Sequence, residues 1–343
     1  MVLGTDGNFY GVTYSGGAWG GGTFYKITSN GTFTVVYSFG EYSNDPSSPV
    51  TPLVQARDDN FYGVTSFGGT NNDGTVFKLT QKGVFTTVYE FSGTDGYDPI
   101  GPLVQATDGN LYGVTGGSTN GQGTLFKLSP SATVTTLHNF TGPDGALPVA
   151  LLQNTNGRFY GLTSQGGTSG KGTVFSLDTG LGPFVSFVPP LSSGKVGNII
   201  QIIGQGFTSS TNVTFHGAAP AIPAFVSVSG TYLKVAVPNG ALTGPATVTT
   251  SSGTLTSNKT FRVTPQITSF NPISGSVGTQ VTITGVSLRQ TTKVTFGGVA
   301  ATTVTVNSDK QVRATVPSGA KTGHIAITTA GGTITSSGTF TVM

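Results

Sequence analysis

Residues 108–129 read DGNLYGVTGGSTNGQGTLFKLS, a stretch with six glycines between and within two short apolar runs. Nearly the same phrase occurs four times. Units beginning at Leu3 (LGTDGNFYGVT), Leu53 (LVQARDDNFYGVT), Leu103 (LVQATDGNLYGVT) and Leu151 (LLQNTNGRFYGLT) follow one another with a period of 48–50 residues. A period in this range marks propeller blades or a related array. Each unit reads as four strands, which in the third are Pro102–Thr107, Leu111–Thr115, Gly123–Ser129 and Thr133–Phe140. TDGN is a tight turn, because Asp caps its own backbone and Gly supplies a positive φ. The Gly-rich run between the second and third strands is a longer hairpin loop. Gly11, Gly63, Gly113 and Gly161 fall inside a strand, which predicts a bulge or the close approach of a neighbouring blade. The glycines therefore serve backbone geometry. No GxGxxG opens onto a helix, and no segment has helical periodicity.

The rest of the composition agrees. Of 343 residues only 8% are charged, 36% are hydrophobic and 53 are glycine. Helical proteins need more charge on their surfaces, and disordered chains have fewer apolar residues. There is no cysteine, which excludes disulfide scaffolds and thiolate chemistry. His138, His216 and His324 are too scattered in sequence to form a ligand pair. The net charge of +3 is unevenly placed: residues 1–188 hold twelve of the thirteen acids against seven Lys or Arg, and residues 189–343 hold Asp309 against nine Lys or Arg. Those cations are spread singly, so solvated charge is the better reading and nucleic acid a minor one. No run approaches the roughly 20 apolar residues of a membrane span. Met1 leads directly into a repeat, so no signal peptide is expected within these residues, which read as a mature region or a fragment.

The phrase DGNxYGVT…GG…GTxFKLT resembles the repeat known as GloVer, found in extracellular bacterial proteins, often beside surface anchors or immunoglobulin-like modules. The resemblance implies an exported, cell-surface setting and an architecture, with no transferable catalytic residue. Near residue 189 a Pro-rich stretch, FVPPLSSG, marks a boundary. Beyond it, strict alternation as in VTFGGVAATTVTV, with turns every eight to twelve residues, predicts small β-sandwiches. ITSFNPISGSVGTQVTITG, VTFGGVAAT and VRATVPSGAKTGHIAITT resemble an IPT/TIG domain, an immunoglobulin-like fold. The preceding unit resembles it less, with PPLSSGKVG for FNPISG and FHGAAPAI for FGGVAAT. The expected fold is all-β: a propeller-like array of four blades over 1–188, then IPT/TIG-like sandwiches over 189–264 and 265–343.

Two sets of acids invite a functional reading. Asp6, Asp58, Asp59 and Asp108 recur at one short turn, and a turn requirement produces that pattern. The longer loops and inter-blade links carry Glu41, Asp45, Asp73, Asp95, Asp98 and Asp144 with Tyr14, Trp19, Tyr42, Phe67 and Tyr97. In a propeller these loops share one face. Aromatic rings stack on sugars and carboxylates accept sugar hydroxyls, so the face is a candidate glycan surface. The competing, more economical reading makes DGxxP and DP simple inter-blade turns and the aromatics edge covers. NNDG at 71–74 and DGYD at 95–98 offer oxygen ligands suited to calcium, although turn chemistry explains both, and no cofactor is otherwise indicated. No GxSxG nucleophile elbow is present.

Two functions are consistent with these features. One is a non-catalytic surface protein that binds glycan or protein or assembles with itself through exposed strand edges. The other is a polysaccharide hydrolase or lyase, with the array as catalytic disc and the sandwiches as spacers; it requires converging carboxylates with separated pKa values. A closed disc also requires the first blade to meet the last, with Phe9, Tyr10 and Phe24 against Phe159, Tyr160 and Phe175.

Overall fold

The computed structural model describes residues 1–42, 44–119, 121–188, 192–208, 211–223, 225–226 and 230–343. Among these every regular element is a strand, and no helix is long and apolar enough to cross a membrane. The chain divides into two compact units, residues 1–181 and 182–343.

The first unit is four antiparallel sheets in series, one per repeat. In the third, Tyr97–Pro99 and Val104–Gln105 both pair with Leu111–Gly117, which pairs with Thr124–Leu128 and then Val134–Asn139. The first strand is thus longer than expected and split. The fourth sheet has three strands, Ala146–Gln153, Phe159–Gln165 and Val174–Leu177, where four were expected. The Ser186–Phe187 segment pairs instead with Ile202 and Ile203 of the second unit.

The strand glycines are explained within each sheet. Gly113 stands opposite Phe126 in unbroken register, and a Cβ there would lie 2.5 Å from Phe126 Cζ. Gly63 has the same relation to Phe77 and Gly161 to Phe175, at 2.5 and 2.2 Å. The close approach is therefore made by a ring across the same sheet, not by a neighbouring blade or a bulge. The tip of the third-strand ring reaches the second strand there, and only glycine leaves room for it. Two residues further along, a threonine pair closes the hairpin: Thr65–Thr75, Thr115–Thr124 and Thr163–Thr173 join Oγ1 to Oγ1 at 2.8, 2.8 and 2.9 Å.

Alternation gives each blade two apolar faces. Phe61, Phe77 and Leu79 face back to the first blade and pack on Tyr10, Phe24 and Phe39. Val64, Val76 and Phe91 face forward and pack on Leu103, Leu111, Phe126 and Leu128. Tyr112, Val114, Leu125 and Phe140 repeat the forward face against Leu151 and Phe159. A glutamine locks each joint. Gln55 accepts from Thr5 N–H, Gln105 from Arg57 N–H and Gln153 from Thr107 N–H, at 2.9, 2.9 and 3.1 Å. Each also donates to the turn of its own blade, at Asp59 O, Gly109 O and Gly157 O.

The expected closing contact is not formed among the described residues. Tyr10 and Phe24 belong to the joint between the first two blades, and Phe159 and Phe175 to the joint between the last two. No core cluster joins the first blade to the fourth. The reason lies in the alternation: these rings are already used by their sequence neighbours.

The second unit is two β-sandwiches. In the first, Ile200, Ile202, Leu233 and Val235 on one sheet meet Val213, Phe215, Ala246 and Val248 on the other. In the second, Gln266–Asn271, Gln280–Val286, Gln311–Thr315 and Val304–Ser308 form one sheet; Gly323–Thr329 and Gly332–Val342 lie in the other. Val281, Ile283, Phe296, Ile325, Ile327 and Phe340 fill the space between them. Gln290 ties the two sandwiches, accepting from Thr243 N–H at 2.8 Å and donating to Thr243 O at 3.1 Å.

Candidate functional site

The long loops and the inter-blade links do share one edge, because main-chain hydrogen bonds lace them together. Ser48 N–H donates to Gly21 O and Gly69 N–H to Asn44 O. Asp98 N–H donates to Asp73 O, Thr119 N–H to Gly93 O, Leu147 N–H to Gln122 O and Gly167 N–H to Gly142 O. Loop and link thus alternate along a continuous ridge over all four blades. Glycine makes this crossing possible. Gly74 has φ +90°, and a Cβ there would sit 2.4 Å from Thr65 O and 2.6 Å from Pro99 of the next blade.

Tyr14, Trp19, Tyr42, Phe67 and Tyr97 all project from this ridge, and Trp19 is 54% exposed. None belongs to a core cluster. Two of the rings stand opposite small partners in the strand register. Tyr97 pairs with Gly117, whose missing Cβ would be 2.2 Å from the Tyr97 ring, and Phe67 pairs with Ser47. One aromatic ring per pair is therefore presented at the same register position, from opposite strands in the second and third blades.

The link carboxylates are engaged in their own turns. Asp45 accepts from Tyr42 N–H at 2.9 Å. Asp95 accepts from Ser92 N–H and Ser92 Oγ, both at 2.9 Å, and from the Tyr89 hydroxyl. Asp144 accepts from Thr141 N–H at 2.8 Å and lies 2.7 Å from His138 Nε2. Partial burial pushes Asp144 up, but the donors of Thr141 and His138 outweigh it and hold the carboxyl below its ordinary range. Burial and the neighbouring Asp95 push the Tyr89 hydroxyl up to about 12. Glu41 is exposed beside Tyr42, and Asp98 adopts φ +50° in the strand start. Tyr37, Tyr89 and His138 occupy one repeat position and face these carboxylates. Aligning the fourth strands would have revealed that set, which reading the acids alone missed.

The short-turn acids are bound more tightly still. Asp6 accepts from Asn8 N–H, Asn8 Nδ2 and Tyr10 Oη at 3.1, 2.7 and 2.8 Å. Asp58 repeats this with Asn60 and Tyr62. Burial raises both carboxyls, the donors lower them further, and the net shift is downward. In the fourth blade Asn156 takes the place of Asp, accepting from Arg158 N–H and donating to Tyr160 Oη. An open groove of about 440 Å³ lies at this edge, lined by Thr5, Asp6, Asp59, Asn60, Thr80, Gln81 and Lys82. It contains none of the ridge residues.

The calcium reading rested on NNDG and DGYD. Asn72 Oδ1 accepts from Gly68 N–H at 2.9 Å, and Asp95 is held as described. Among the described residues no three His, Cys, Asp or Glu side chains converge as a metal site.

The family model described as the Gloeobacter/Verrucomicrobia repeat matches residues 1–198, and that described as the IPT/TIG domain matches residues 265–342. One TIG domain is found where two were expected. The preceding sandwich shares the build but lacks the FNPISG and FGGVAAT phrases. No curated protein sequence matches the chain. Among solved structures, the surface glycan-binding protein PbSGBP-B from Prevotella bryantii is 18% identical over 46% of this chain and 41% of its own, with a TM-score of 0.33. The SGBP-B of a xyloglucan utilization locus in Bacteroides uniformis is 24% identical over 46% and 48%, with a TM-score of 0.22. Virginiamycin B lyase from Staphylococcus aureus is 13% identical over 97% and 96%, with a TM-score of 0.32. The chain spans less than half the length of the first two. At these TM-scores the likenesses are no guide to function.

Proposed function

The chain belongs to the Gloeobacter/Verrucomicrobia repeat family, and from that premise we propose that it is a non-catalytic bacterial surface protein whose loop ridge binds glycan. The observation that carries this reading is the row of exposed rings, Tyr14, Trp19, Tyr42, Phe67 and Tyr97, on one hydrogen-bonded edge. Rings left outside every core, on a backbone already fixed, lose little entropy on binding and present flat faces to sugar rings. The carboxylates favour binding over hydrolysis. A glycosidase needs one carboxyl held protonated beside an ionised partner. Every carboxyl here with a shifted acidity, Asp6, Asp58, Glu90 and Asp144, is shifted down. The sandwiches then act as spacers.

A glycan-array screen of the full chain, followed by titration of the best oligosaccharide, tests this. Trp19 is the one tryptophan, so binding should change its fluorescence. Trp19→Ala should weaken affinity about 5- to 10-fold, the loss of a stacking contact of roughly 1 kcal/mol. A glycan that binds the Trp19→Ala variant as tightly as the wild type would place the site elsewhere.

A further inference from the structure

The ridge carries charge of one sign. Its loops (residues 14–22, 67–74, 116–123 and 164–172) and links (39–49, 91–99 and 140–148) hold Glu41, Asp45, Asp73, Asp95, Asp98 and Asp144 against a single cation, Lys171. Half of these acids serve the turns. Asp45, Asp95 and Asp144 recur from link to link and accept from the main chain there. Glu41, Asp73 and Asp98 do not. Among the described residues none of these three has a side-chain hydrogen bond or an ion pair. The fold does not call for an acid at 73 or 98 either. The loop-to-link bond from Asp98 N–H to Asp73 O is made equally by Ser48 to Gly21 and by Leu147 to Gln122, at 3.0, 2.8 and 2.9 Å. Ser48 and Leu147 also share the left-handed backbone of Asp98, with φ of +56° and +52° beside +50°. Serine or leucine at one position, and glycine or glutamine at the other, thus satisfy the same geometry. Two carboxylates on bonded neighbours, with no Lys or Arg in the loops and links of the second and third blades, repel each other, and a cationic ligand relieves that cost.

We propose that the ridge selects glycans bearing protonated amino groups, taking them ahead of neutral glycans and turning away polyuronates. The proposal rests on the reading of the ridge as a glycan-binding surface and names the class of glycan. The exposed rings stack on sugar faces whatever charge the sugar carries, so they supply affinity without discrimination. The free carboxylates supply the discrimination. Glu41 adjoins Tyr42 and Asp98 adjoins Tyr97 in the chain, and all four belong to the same hydrogen-bonded edge. A sugar ammonium donates to a carboxylate as a charged pair, a hydroxyl donates as a neutral group, and a uronate brings like charge against like.

The test titrates the full chain with oligosaccharides of equal length made of glucosamine, N-acetylglucosamine, glucose or a uronic acid. Titrations are run with a chelator at about pH 5.5, where an amino group is protonated. The glucosamine oligomer should bind most tightly and the uronic acid oligomer least, and the preference should shrink as salt is raised to about 0.5 M. The decisive variant carries Asp73→Gln with Asp98→Ser, because Gln122 and Ser48 already occupy those positions in other blades and the fold accepts them. It should lose affinity for the glucosamine oligomer about 5- to 10-fold, the worth of two exposed ion pairs, and its preference over the glucose oligomer should fall with it. Trp19→Ala reports separately on whether the bound oligomer lies on the ridge. Glucose or N-acetylglucosamine oligomers that bind as tightly as the glucosamine oligomer, with Trp19 still required, overturn this proposal and leave the glycan-binding reading standing. A folded double variant with wild-type affinity for the glucosamine oligomer, or binding that needs added calcium, does the same. Failure of all four oligomers to bind overturns both.

Discussion

The repeat array and the C-terminal sandwich are both made of short antiparallel strands, yet they satisfy their apolar surface differently. In the sandwich each sheet has one apolar face, and the two faces meet over Val281, Ile283, Phe296, Ile325 and Phe340. That unit is complete with two sheets. In the array each blade has two apolar faces, as Leu125 and Phe126 show by serving different joints from adjacent positions. A blade therefore needs two neighbours, one on each side. The second strands show the difference: Leu111–Gly117 is buried throughout, whereas Gln280–Val286 alternates between buried and more exposed positions.

The largest effect should come from excision. Residues 265–343 in isolation should unfold cooperatively and give dispersed amide resonances, since their core needs no other element. One blade cut out as residues 97–140 should give the narrow dispersion of an unfolded chain. A blade that folds alone would break the comparison, because its two apolar faces would then not need neighbours.

Glycine substitutions sharpen it. Gly113→Ala drives a Cβ to 2.5 Å from the Phe126 ring and should cost about 1–3 kcal/mol. Gly338→Ala in the sandwich meets Phe270 at an ordinary 3.6 Å and should stay within about 0.5 kcal/mol of wild type. Denaturant melts of the full chain and of the 265–343 fragment measure the two. Gln105→Ala ranks below Gly113→Ala. It removes an acceptor from Arg57 N–H and a donor to Gly109 O at a solvent-facing joint, and the loss should be roughly 1 kcal/mol.

Much of this was legible in the sequence because the repeat itself reports on geometry. The turn role of Asp6, Asp58 and Asp108 showed in their fixed spacing before Asn and Tyr, and each carboxylate does bond its Asn and Tyr. The glycines inside strands were read as sites of close approach, but the approaching group is a cross-strand ring ten or more residues away, which period alone does not locate. The absence of a core cluster joining the first blade to the fourth among the described residues was not legible. Closure depends on the angle between blades, and no residue type encodes it. The fourth blade's missing strand was obscured for a related reason: 182–188 alternates like a strand in either partner, and pairing with Ile202 and Ile203 decides it. The aromatic ridge was placed on one edge by the repeat, while the His138–Asp144 contact needed the three-dimensional register of the fourth strand.

The smallest effect is the pH response, which should also separate the two regions. In the array, Asp6 and Asp58 have folded pKa values below the unfolded carboxylate value of about 4. The unfolded chain then binds protons first, so their contribution is present above about pH 4 and is lost as the pH falls through the folded values. Tyr10 and Tyr62 are raised, by burial and by the adjacent carboxylate. Their contribution is whole below about pH 10 and is lost as the pH rises through the folded values. The array should therefore hold a level melting temperature between about pH 5 and 9 and lose stability on both sides. Residues 265–343 contain Asp309 as their one acid and no tyrosine, so the isolated fragment should show shallower limbs. Asp58→Asn provides the control from within the protein, because Asn156 already fills that turn in the fourth blade and bonds Tyr160. The variant should keep the turn at neutral pH and flatten the acid limb. An acid limb unchanged in Asp58→Asn would assign the loss to other groups.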